Sequence, residues 1–181
     1  PAPTFQWQVS TNGGTTWTPE ASGAIDDLNG VSFANPRRGL AVGGIDGVSV
    51  PRILLTTDGG TTWTTQLNNN SYALTGVAFA DSNIAVAVGG NGKKWRSSDG
   101  GASWSSISSG FNYMLGVAFA TATAGTIVGY GGFLQTTDAG LTWTSEDSVY
   151  SSGVSFANGS VGIAVGPAGV IYKTSDGGTT W

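Results

Sequence analysis

The 181-residue sequence contains neither cysteine nor histidine. Without thiols it can form no disulfide, thiolate metal site or redox pair. Without imidazole, Ser-His-Asp and Cys-His catalysis and the usual zinc sites are excluded, so no metal or other cofactor is expected. Charge is also scarce: charged residues make up 10%, against about 25% in ordinary globular domains. Seven Lys and Arg face eleven Asp and Glu, a net charge of −4. That balance opposes nucleic acid, which requires a basic surface. No apolar run is long enough to span a membrane, and no stretch has helical periodicity. Ser, Thr, Asn and Gly fill the space, a surface expected of a secreted or cell-surface bacterial protein. The first residue is Pro1 rather than Met, as expected of a chain that has been processed or excerpted.

What is present is repetition. One octapeptide pattern occurs five times, at residues 10–17 (STNGGTTW), 56–63 (TTDGGTTW), 97–104 (SSDGGASW), 136–143 (TTDAGLTW) and 174–181 (TSDGGTTW). The starts lie 46, 41, 39 and 38 residues apart, the signature of a tandem array of one supersecondary unit. Asp-Gly between β-favouring residues is a hairpin signal. The carboxylate can accept turn N–H groups, the glycines supply positive φ, and the Trp can fold back over the turn while its indole N–H reaches a partner. Asp58, Asp99, Asp138 and Asp176, with Trp17, Trp63, Trp104, Trp143 and Trp181, therefore read as structural. Asn12 replaces the first aspartate; it keeps the acceptor and loses the charge, as a turn residue could and an essential acid could not.

Each unit also carries a G-V-x-F strand (residues 30–33, 76–79, 116–119 and 153–156), a second apolar strand of small residues, and a third strand leading into the octapeptide. Four short strands per unit of about 40 residues predict an all-β protein, a β-propeller of four-stranded antiparallel blades with the first two strands innermost. A solenoid is disfavoured by the long period and a sandwich by the fidelity of the repeat. The expected division is a half blade over residues 1–20 and blades over 21–65, 66–106, 107–145 and 146–181. Four first strands against five octapeptides do not close a ring. Either the chain is a segment of a longer propeller, or a second copy completes the loose half blade, because an unpaired strand edge invites strand addition.

The octapeptide resembles the Asp-box, or BNR repeat, of sialidases, sortilin-type receptors and xyloglucanase-type glycosidases. The fuller unit, G-V-x-F, G-x-A-V-G and I-L-x-T-T-D-G-G-T-T-W, is most similar to photosystem II stability/assembly factor-like propellers of bacteria. A sialidase would imply three converging arginines and a Tyr/Glu pair, and Arg37, Arg38, Arg52 and Arg96 are not spaced as such a triad. A xyloglucanase-type enzyme would imply two opposed carboxylates, and Glu20, Asp26, Asp27, Asp46, Asp81, Glu146 and Asp147 show no marked pair. The assembly-factor group would imply a basic patch for a protein client; Lys93, Lys94 and Arg96 are its candidate remnant, beside the simpler reading of a solvated hairpin tip.

In a propeller, the fourth-to-first and second-to-third connections share one face. Tyr72, Tyr113 with Phe111, and Tyr150 precede the G-V-x-F glycines, and Tyr130 with the tip at residues 91–94 joins them. These aromatics either plug gaps between blades, anchor a protein interface or stack on a glycan. The expected function is a non-enzymatic, secreted or surface scaffold for protein binding, with self-association through open blade edges; a carbohydrate-binding module and a glycosidase fragment are the alternatives. Residues 69–71 and 158–160 fit the glycosylation pattern.

Overall fold

A computed structural model describes residues 7–10, 12–20, 27–44, 52–67, 72–107, 113–147 and 149–181. Phe111, Asp26, Asp46 and residues 69–71 lie outside these. The protein is a run of antiparallel sheets in sequence order. A hairpin of β1 (Trp7–Val9) and β2 (Thr18–Glu20) comes first. Three four-stranded sheets follow: β3 (Leu28–Phe33), β4 (Gly39–Gly43), β5 (Arg52–Thr56) and β6 (Thr64–Leu67); β7 (Leu74–Phe79), β8 (Ala85–Gly89), β9 (Lys94–Ser97) and β10 (Ser105–Ile107); β11 (Met114–Phe119), β12 (Gly125–Gly129), β13 (Gly132–Thr136) and β14 (Thr144–Asp147). The last sheet has β15 (Gly153–Phe156), β16 (Gly162–Val165) and β17 (Ile171–Thr174). These sheets succeed one another as propeller blades, and among the described residues the series is not closed into a ring.

The G-V-x-F strands β3, β7, β11 and β15 pack against one another in succession. Their glycines make this approach feasible: a Cβ on Gly76 would lie 3.3 Å from the Gly116 Cα. Farther out, alternation along each strand sends one set of side chains forward to the next blade and the other set back. Leu40, Val42, Ile53 and Leu55 of the first blade meet Leu74, Val77, Ala85 and Ala87 of the second. Val86 and Val88 meet Met114, Val117, Ile127 and Leu134, and Val128 and Phe133 meet Val154, Ala164, Tyr172 and Trp181.

The octapeptide closes each blade's outer hairpin through a loop of seven residues, as at 57–63 between β5 and β6. This is longer than the two-residue turn that Asp-Gly signals, because side chains rather than a tight turn organise it. The buried Thr56 hydroxyl accepts the Gly60 N–H at 2.8 Å and donates to Asp58 Oδ1 at 2.8 Å. Asp58 Oδ1 accepts the Thr62 N–H at 2.9 Å, and the Thr62 hydroxyl donates to Oδ2 at 2.5 Å. The same network surrounds Asp99, Asp138 and Asp176. At Asn12 one polarity reverses, the amide donating to the Thr16 hydroxyl at 2.7 Å. The indoles of Trp17, Trp104 and Trp143 donate to the carbonyls of Gly14, Gly101 and Gly140. Trp181 departs from that expectation: its ring stacks on Phe133 at 5.0 Å, and its buried N–H has no partner among the described residues.

Arginines fasten consecutive blades. Arg38 donates to the Gly100 carbonyl and Arg96 to the Ala139 carbonyl, each at 2.8 Å and each on the next blade's octapeptide. Ala139 itself has φ +59° where the other copies have glycine.

Candidate functional site

The site is built by a defect that recurs in three inner strands. The register of β3 against β4 shifts between Leu28 and Gly30, that of β7 between Leu74 and Gly76, and that of β11 between Met114 and Gly116. Each shift is a bulge that inserts one extra residue and re-aims the strand. The extra residues are Asn29, Thr75 and Leu115, and they line a cavity at the axial mouth of the blades. Two of them also tie blades together. Asn29 Nδ2 donates to the Leu74 carbonyl at 2.9 Å, and the Thr75 hydroxyl donates to the Met114 carbonyl at 2.6 Å. Ser152, just before Gly153, lines the same cavity in the last blade.

Two residues earlier in each strand, Asp27, Ala73, Tyr113 and Tyr150 form the rim. The carbonyls of Asp27, Ala73 and Tyr113 accept the N–H groups of Gly44, Gly90 and Tyr130 at 2.8, 3.1 and 3.0 Å. The third blade thus carries a tyrosine where the first two carry glycine, and this sets Tyr130 beside Tyr113. The two rings meet edge to face at 5.9 Å and 83°. Tyr130 also stacks with Tyr150 at 4.7 Å and 20°. Tyr130 remains 63% exposed, so much of the side chain is presented to solvent.

The cavity has a volume of about 530 Å³. Its described lining holds three phenols, one carboxylate (Asp27), hydroxyl and amide groups, and neither lysine nor arginine. Desolvation pushes the Tyr150 hydroxyl above its ordinary pKa of 10.0, and the charge and hydrogen bond of the neighbouring Tyr130 push the same way. The Tyr150 phenol therefore stays neutral at physiological pH. The arrangement suits stacking on a planar or cationic group with polar contacts alongside. Among the described residues, no three His, Cys, Asp or Glu side chains converge to hold a metal, and no helix is long and apolar enough to cross a membrane.

Of the expected ligand residues, Tyr113, Tyr130 and Tyr150 come together here. Tyr72 does not line the cavity, because Ala73 holds the rim position in the second blade. The spacing contained that signal: Tyr113 and Tyr150 stand three residues before the G-V-x-F glycine and Tyr72 four. Lys93 is half-buried and outside the lining. Lys94 corrects the reading of a solvated tip. As the first residue of β9 it occupies the forward-facing position of Ile53 and Phe133, is fully buried, and its ammonium has no partner among the described residues. Desolvation lowers its pKa from 10.5 to about 8. The places of Asp27, Asn29 and Thr75 at the mouth have no signal in the sequence, since a bulge depends on the register against the neighbouring strand.

A model of the BNR/Asp-box repeat matches residues 8–19, around the octapeptide that carries Asn12. Nothing among curated proteins matches the chain. Among solved structures, YCF48 bound to D1 peptide superposes with a TM-score of 0.68 at 22% identity, covering 88% of this chain and 54% of that one. YCF48 from Cyanidioschyzon merolae gives 0.71 at 18%, covering 96% and 64%. The fold is that of a β-propeller carrying an Asp-box repeat, and it resembles that of YCF48. The propeller spans between half and two thirds of the length of those two structures. An ancestral GH74 enzyme also matches, with a TM-score of 0.67 at 20% identity over 87% of this chain and 24% of that one. At these identities the likeness is one of fold.

Proposed function

We propose that this propeller is a non-enzymatic protein-binding scaffold, displayed on a secreted or surface-exposed bacterial protein, which takes an extended peptide segment across its axial mouth. The observation that carries this reading is the Tyr113–Tyr130–Tyr150 cluster over the cavity, since exposed aromatics beside polar groups are what protein interfaces use as anchors. The peptide-bound YCF48 structure supports it by showing that a similar propeller takes a peptide. The described lining carries one carboxylate, where glycoside hydrolysis of the usual kind uses two. The test is a peptide display library and a glycan array, each probed with the native chain and with Tyr150→Ala. Peptides retained by the native chain and lost by the variant are expected. Enrichment of glycans alone would overturn the reading in favour of a lectin.

Self-association belongs to the same reading and is supported by the two end faces. Ile163, Val165 and Ile171 of the last blade are 46%, 43% and 67% exposed. They correspond in register to Leu40, Val42 and Ile53, which the second blade buries completely. At the other end Val31 and Phe33 are 47% and 45% exposed, although their equivalents Val77 and Phe79 pack against the first blade. One end therefore carries the forward half of an interface and the other the backward half, a heterologous pair. Light scattering of the chain over a range of concentrations should show head-to-tail assembly, reduced by Ile171→Asp. A monomer at every concentration would remove this part of the proposal.

A further inference from the structure

We infer that the mouth selects a basic segment of its protein partner, seating an arginine or lysine side chain between the tyrosine faces and the Asp27 carboxylate; this rests on the protein-binding reading above. The charge of the cavity carries the inference. Asp27 is exposed, lines the cavity, and is the one carboxylate of a described lining that holds no lysine or arginine. Its backbone carbonyl accepts the Gly44 N–H at 2.8 Å, which fixes the main chain of Asp27 at the rim. Tyr130 and Tyr150 supply π faces across the same cavity, and an aromatic face attracts a cation through its quadrupole. A guanidinium satisfies both features, because it stacks flat on a ring and pairs with a carboxylate through two parallel N–H groups.

Three of the seven cations are engaged away from the mouth. Arg38 and Arg96 are committed to the octapeptides of neighbouring blades, Lys94 is buried between blades, and the chain as a whole carries −4. An acidic segment would meet repulsion at Asp27 with no cation of the lining to offset it, whereas a basic segment is drawn in from a distance as well as held on contact. Asn29 and Thr75 already spend donor hydrogens on neighbouring blades. Their side-chain oxygens can act as acceptors, which a donor-rich arginine or lysine suits.

The experiment uses three fluorescein-labelled Gly-Ser nonapeptides carrying two central arginines, two glutamines or two glutamates, titrated into the full chain at low and high salt. The arginine peptide should bind at least tenfold tighter than the glutamine peptide, lose most of that margin at high salt, and leave the glutamate peptide unbound. Asp27→Asn should weaken arginine binding five- to tenfold and leave glutamine binding unchanged. Asp81→Asn provides the control for net charge: Asp81 caps the β7–β8 turn by accepting the Asn83 and Ile84 N–H groups, a role that Asn35 and Asn158 fill in other blades. It should leave arginine binding unchanged. Equal affinity for arginine and glutamine peptides, or an Asp81→Asn effect as large as that of Asp27→Asn, would overturn selection of a basic segment while leaving protein binding in place. Failure of all three peptides, together with failure of the display library, would overturn the protein-binding reading itself.

Discussion

Asp99 accepts the Ser103 N–H and the hydroxyls of Ser97 and Ser103, so its carboxylate organises a turn. Asp99→Ala should cost about 1 kcal/mol and lower Tm by roughly 2–4 °C. Asp99→Asn should cost less, because an amide can reverse its polarity toward the neighbouring hydroxyl as Asn12 does toward Thr16. The hydroxyls of Thr62, Ser103 and Thr180 are the largest cause holding Asp58, Asp99 and Asp176 at about 2 instead of 3.8. At Asp138 partial desolvation pushes upward, and hydrogen bonds from Thr142 and Thr136 outweigh it to reach about 2. A carboxylate whose pKa falls on folding stabilises the fold above its unfolded value and stops doing so as pH falls through the folded one. Melting followed from pH 6 to 2 should therefore show stability held to about pH 4 and then lost. Lys94 gives the same slope in an alkaline window for a different reason, because folding disfavours its charged form. Its pKa falls from 10.5 to about 8 on folding, so the unfolded chain binds more protons between those values and stability should rise across that window. Lys94→Met should raise stability at pH 7 by about 1–3 kcal/mol and abolish the rise, as followed by denaturant unfolding at pH 7 and 10.

The β-strands and their order were legible in the sequence because the pattern that makes them is local: G-V-x-F alternation, turn residues at fixed offsets, and five octapeptides. Their crowding was legible too, since only small residues fit where strands converge. Gly129 is a sharp case, with a would-be Cβ 2.2 Å from the Tyr113 carbonyl oxygen. Gly129→Ala should thus cost about 3 kcal/mol or more, seen as a lowered midpoint in denaturant unfolding. The same close approach fixes the rim, because the Tyr113 carbonyl also accepts the Tyr130 N–H. What the sequence hid is non-local. Nothing in L-T-G-V-A-F announces that Thr75 is an extra residue in the ladder, and nothing in N-G-K-K-W-R separates a half-buried Lys93 from a fully buried Lys94. Only the register against β8 and the face of the next blade decide those positions.

At the scale of the molecule, blades bury one another and the ends show what an uncovered blade looks like. Ile53→Asp places a charge in a closed interblade core and should cost about 3 kcal/mol or more. Ile171→Asp, at the equivalent but 67% exposed position, should change stability by less than about 0.5 kcal/mol in dilute solution; paired denaturant curves give the comparison. The blades thus form a rigid support whose inner-strand bulges deliver one residue each to a shared mouth. Binding at that mouth is most directly tested by amide hydrogen exchange of the full chain with and without the arginine peptide. Slowed exchange confined to residues 27–30, 73–76, 113–116, 129–131 and 150–153 is the predicted result. Protection at the octapeptides 56–63, 97–104 and 136–143 with none at the mouth would contradict it.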